Sequence, residues 1–92
     1  MAHLEVVLSH TDVHELIPYA VICEVRYGSR WDTMRRKRRW MAEFTKEERE
    51  AAYKLFPKAH NWYVGRGVPD LVRMSMATYR LWQKLGDFCG TL

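Results

Sequence analysis

A chain of 92 residues, 48% hydrophobic and 13% aromatic, is too apolar to remain disordered and long enough for one domain with a modest core. Two cysteines without C-x-x-C spacing exclude a disulfide framework, Tyr19–Cys23 is far too short an apolar run for a membrane span, and no basic n-region opens the chain; the expectation is a soluble protein of a reducing, cytoplasmic compartment. The net charge of +4 is uneven, because residues 26–39 hold seven basic side chains against Asp32 alone and carry +6, whereas the rest of the chain carries −2.

Leu4 to Leu8, short, β-branched and partly alternating, is predicted as a strand. Ser9 or Thr11 then offers a helix cap, Asp12 and Glu15 suit a first turn, and Val13, Leu16, Ile17, Ala20 and Val21 mark one helical face. Pro18 either kinks this helix, the reading we favour, or ends it, in which case Ala20 to Tyr27 becomes a strand. Gly28 and Ser29 close the segment. Asp32 is the expected cap of a second helix running to about Glu43. Thr45 and Glu48 form a T-x-x-E capping box, the clearest helix start in the chain. Ala52, Leu55, Phe56, Ala59, Trp62 and Tyr63 keep helical phase across Pro57. One long helix kinked there, or two coaxial pieces, should end at Gly65 and Gly67. After a turn at Val68-Pro69-Asp70, Leu71 to Met74 reads as a second strand and Ser75 as another cap. Thr78, Leu81, Trp82, Leu85, Phe88 and Cys89 mark the inner face of a last helix, with Gly90 at its C′ position. Strand, cap and helix thus occur in that order twice. The expected fold is mainly α: one small basic domain over residues 1–92, with about four helices and a two-stranded β ribbon from residues 4–8 and 71–74.

The basic segment is the most distinctive feature. At 100° per residue, Trp31, Met34, Trp40, Met41 and Phe44 share one half of the helix, and Arg35, Arg36 and Arg39 the other. Lys37 and Arg38 fall in or beside the apolar half, so they must snorkel, pair with an acid or face a partner. Five adjacent cations repel one another. An external polyanion could offset this, as could the downstream Glu43, Glu47, Glu48 and Glu50. Guanidinium forks match phosphate oxygens, and four of the five cations are Arg. The candidate binding residues are therefore Arg35, Arg36, Lys37, Arg38 and Arg39, supported by Arg26 and Arg30. Trp31 and Trp40 are candidates for stacking on unpaired bases. The competing reading has the glutamates balance the charge and both tryptophans sit in the core. A basic helix with tryptophans also suits an anionic membrane, but its short length and the downstream acids argue against that partner.

Catalytic signals are weak. His10 and His14 have the i, i+4 spacing of metal ligands, but Thr11 stands where H-E-x-x-H needs Glu, so they read as exposed helix-start residues. Cys23, Cys89 and His60 would meet only through the accident of folding, and the cysteines read as small buried apolar groups. Gly65-Arg66-Gly67 lacks the Lys-Ser/Thr of a phosphate loop, and no nucleophile motif occurs. No enzyme, cofactor or metal is expected. In general character, compact, tryptophan-rich and unevenly charged, the chain is similar to small accessory proteins of phages and mobile elements. That likeness involves no specific residues. It implies an alternative: an inhibitor or adaptor of the anti-CRISPR kind, binding an acidic surface of a nucleic-acid-processing protein. The leading expectation is non-enzymatic binding of a DNA or RNA backbone, or of a nucleoprotein. A small metal-dependent enzyme comes third.

Overall fold

A computed structural model describes residues 4–28 and 33–90. In chain order the elements are β1 (Glu5–Ser9), α1 (His10–Tyr27), α2 (Met34–Glu43), α3 (Lys46–Tyr63), β2 (Leu71–Ser75) and α4 (Met76–Cys89). Helix accounts for 72% of the described residues, and the two strands pair as an antiparallel ribbon, so the mainly α fold with a small ribbon is the fold adopted. Among the described residues no helix is long and apolar enough to cross a membrane.

The ribbon aligns Glu5 with Ser75 and Ser9 with Leu71. Each strand enters its helix without a loop. Ser9 ends β1 and caps α1, accepting the Asp12 N–H while the Asp12 carboxylate accepts the Ser9 N–H. Ser75 ends β2 and accepts the Thr78 N–H at the start of α4. Even the first helical amides extend the ladder: His10 N–H donates to the Asp70 carbonyl at 3.1 Å, and Met76 N–H to that of Leu4 at 2.9 Å. The two strand-helix units are thus related by a constant offset of 66 residues, seen in Ser9 and Ser75 and in His10 and Met76.

The same offset relates Cys23 to Cys89, and these two are joined by a disulfide. This corrects the expectation of two free apolar thiols. Sequence spacing carried no sign of the pairing, which depends on α1 and α4 leaving the same ribbon side by side. The case for a reducing compartment loses its premise, because it rested on unbridged cysteines.

α1 does not end at Pro18, and residues 20–27 are helix rather than strand. α3 likewise runs through Pro57. Both prolines are exposed, so the carbonyls they deprive of partners, those of His14 and Tyr53, lie on the outer faces of their helices. α3 stops in a Schellman turn: Arg66 N–H reaches the Asn61 carbonyl at 2.7 Å and Gly65 N–H that of Trp62 at 3.0 Å. Gly65 and Gly67 adopt φ of 81° and 70°, the left-handed region that glycine tolerates best.

The core gathers Val13, Ile17 and Ala20 of α1 and Ala52, Leu55, Phe56, Ala59 and Trp62 of α3. Leu81, Trp82 and Leu85 of α4 and the ribbon's inner Leu8 and Val72 complete it. Among the described residues no polar or charged side chain is buried. Several expected inner-face positions differ. Tyr63, in the last turn of α3, is 56% exposed, and Leu16, Val21, Thr78 and Phe88 are half-buried.

Candidate nucleic-acid interface

α2 is held by aromatic packing at one edge of the core. Trp40 is fully buried, stacks on Tyr27 at 5.1 Å and meets Phe44 at 4.5 Å, while Phe88 packs against Tyr27 at 5.2 Å and Phe44 at 5.0 Å. The Trp40 Nε1–H donates to the Tyr53 hydroxyl at 2.9 Å. Its indole is therefore a core anchor with its polar handle satisfied, which corrects its candidacy for base stacking. Trp31 and Arg30 lie outside the described residues. So does Asp32, the expected cap; the cap is Thr33, whose hydroxyl accepts the Arg36 N–H at 3.2 Å.

Among the described residues, only Trp40 and Phe44 bring the apolar half of this segment into the core. Met34 and Met41, expected inside, are 62% and 48% exposed. A ten-residue helix at the margin of a small core buries a narrow stripe, not a half-circle. Arg38, expected beside the apolar half, is consequently exposed with Arg35 and Arg39, while Arg36 and Lys37 flank the buried stripe at intermediate exposure.

The downstream glutamates do not balance Arg35 or Arg38 among the described residues. Glu43 reaches Arg39 at 3.5 Å, one turn along the same helix, and the Arg39 guanidinium also lies 4.6 Å over the Phe88 ring. Glu48 is committed elsewhere: it accepts the Thr45 N–H at 2.9 Å in the capping box of α3 and receives Lys84 at 2.9 Å. The backbone hydrogen bond from Thr45 is the chief reason its carboxyl sits below the ordinary value; partial burial opposes this and Lys84 reinforces it. Among the described residues Arg35 and Arg38 form no ion pair with a carboxylate.

The two ends of α2 differ electrostatically. At its C-terminus, Arg49 of α3 donates to the carbonyls of Phe44 and, at 3.4 Å, Met41, a cation where the helix dipole favours one. At its N-terminus there is no acidic residue in the first turn; Arg35, Arg36 and Lys37 add positive charge to the positive end of the dipole. There the last turn of α1 comes alongside. Arg26, Tyr27, Thr33, Arg35, Arg36 and Arg39 line a cleft of about 330 Å³. Four of the expected basic residues thus converge, while Arg38 lies outside the cleft. Thr33 and Tyr27 were not evident as site residues. Thr33 was legible as a polar residue opening M-R-R-K, whereas Tyr27 joins the site only through its stacking on Trp40.

The other candidate constellations stay small. His10 is the first residue of α1, and its ring stands 4.7 Å from that of His14, both exposed. Among the described residues no group of three or more His, Cys, Asp or Glu is placed to hold a metal. His60 lies 3.2 Å from Glu24, and the cysteines are bridged. Comparison with protein families, curated proteins and solved structures finds no match to this chain, so the reading of the site rests on its geometry.

Proposed function

We propose that this protein binds nucleic acid without catalysis, using the arginine face of α2. The observation that carries the proposal is an exposed row of Arg35, Arg38 and Arg39, of which only Arg39 meets a glutamate among the described residues. Such a face attracts a polyanion, and guanidinium groups bind phosphate oxygens in forked geometry. Arg26 and Arg36 extend the positive surface into the adjoining cleft. Contact with the backbone makes binding nearly indifferent to sequence. A cytoplasmic location belongs to the same proposal; the sulfurs of the Cys23–Cys89 bridge, on residues 0% and 3% exposed, are shielded from soluble thiols there.

The test is binding of labelled duplex and single-stranded oligonucleotides at low salt, with the 260/280 absorbance ratio of the purified protein measured before and after nuclease. Retained, nuclease-sensitive nucleic acid and binding to either oligonucleotide are expected. Failure of both oligonucleotides to bind at low salt overturns the proposal.

One observation favours the second reading, an inhibitor or adaptor. Met34 and Met41 are exposed beside Arg38, and Met with Arg is a composition enriched in protein interfaces. On that reading the protein co-purifies with a partner protein, and reversing the charge of the partner's acidic patch rescues an Arg38→Glu variant.

A further inference from the structure

The cleft between α1 and α2 differs from the open face of α2. Its lining includes arginines from two helices: Arg26 from the last turn of α1, and Arg35, Arg36 and Arg39 from α2. Among the described residues no carboxylate lines it; Glu43 approaches Arg39 from the next turn. The Thr33 hydroxyl accepts the Arg36 N–H, which leaves its own hydrogen to donate. The wall is rigid, because the Tyr27 ring is stacked on buried Trp40 with 14° between planes.

Tracking a phosphodiester backbone calls for cations spaced along a surface, about one per singly charged phosphate. Cations brought from two helices to one hollow suit a single group of higher charge. A phosphate monoester carries about −1.5 to −2 at neutral pH and presents three strong acceptor oxygens. We infer that the cleft lined by Arg26, Thr33, Arg35, Arg36 and Arg39 is a pocket for a terminal phosphate monoester, so that the protein prefers nucleic-acid ends bearing a phosphate. This deepens the nucleic-acid reading above and rests on it. Arg26 separates the two sites, since it belongs to the cleft but not to the α2 face.

The experiment compares a 5′-phosphorylated oligonucleotide with its 5′-hydroxyl counterpart of identical sequence, and adds calorimetric titration with inorganic pyrophosphate. The proteins are wild type, Arg26→Gln, Arg35→Gln as a second cleft variant at an exposed position, and Arg38→Gln. Circular dichroism confirms that each is folded. Wild type should bind the phosphorylated strand about tenfold more tightly, the effect of one or two charge-assisted hydrogen bonds. Arg26→Gln should abolish that preference, and Arg35→Gln should reduce it. Arg38→Gln should weaken both strands and preserve their ratio. Equal binding of the two strands by wild type overturns the pocket and leaves the nucleic-acid reading intact. Pyrophosphate binding that depends on Arg26, with neither strand bound, supports the pocket and overturns the nucleic-acid reading. Pyrophosphate binding that is absent, or indifferent to Arg26, overturns the pocket.

Discussion

Reduction of the Cys23–Cys89 bridge should remove a large share of this protein's stability. The bridge joins residues 66 apart in sequence. Closing a loop of that length in the unfolded chain stabilises the fold by about 4 kcal/mol on the chain-entropy scale. A domain of this size has a total stability of about 5–14 kcal/mol, so the bridge accounts for roughly a third of it or more. Both cysteines are buried; reduction therefore needs unfolding in denaturant with a phosphine, followed by refolding under the same reductant. Urea titration, followed by the fluorescence of the buried Trp40 and Trp82, then compares the oxidised and reduced proteins. The reduced protein should unfold at a much lower midpoint. The cleft should loosen too, because Arg26 and Tyr27 lie in the turn after Cys23, and Phe88, beneath the Arg39 guanidinium, precedes Cys89. Equal midpoints for the two forms would refute the reasoning.

Two further perturbations probe the scaffold that presents α2. Trp40→Ala empties the fully buried site between Tyr27, Phe44 and Phe88 and leaves the Tyr53 hydroxyl without its donor, at a cost of about 3–5 kcal/mol; chemical denaturation measures it, and a loss under about 1 kcal/mol would show that Trp40 does not anchor the helix. Glu48→Gln keeps the capping geometry but loses the charge facing Lys84. The Glu48 carboxyl lies below 4.5 in the folded state, so its charge contributes stability above the unfolded value, and that contribution is lost as pH falls through the folded value. The gap between wild type and Glu48→Gln should therefore be full at neutral pH and close in acid below 4.5; a gap that is constant with pH would show that the charge plays no part.

The local signals in the sequence were reliable because each has a short-range cause. Ser9, Thr45 and Ser75 cap the helices expected of them, since the side chain that accepts the third amide is itself part of the local pattern. The ribbon was legible from the repeated order of strand, cap and helix. Apolar phase outweighed both prolines because each occupies the outer face of its helix. What the sequence hid depends on where α2 sits. A helix at the margin buries two side chains, Trp40 and Phe44, and releases Met34, Arg38 and Met41 to solvent, which a helical wheel that assumes a half-buried cylinder cannot show. The cleft was hidden for a related reason. Arg26 was counted with the basic segment by charge alone, and only the packing of Tyr27 on Trp40 brings the last turn of α1 beside the first turn of α2.

The salt dependence of nucleic-acid affinity tests the central claim most directly. Each phosphate contact releases condensed counterions, and log affinity on duplex DNA falls with log salt at about −0.9 per contact. Arg35, Arg38 and Arg39 on the open face, with Arg26 beside them, amount to a slope of about −3 to −4. Fluorescence anisotropy on one labelled duplex, from low to physiological salt, should give that slope for wild type. It should give a slope flatter by about 2 for the Arg35→Gln, Arg38→Gln double variant, with the helical circular dichroism of the two proteins alike. A duplex that stays unbound at low salt, or a slope the double variant leaves unchanged, would contradict the assignment of α2 as the nucleic-acid surface.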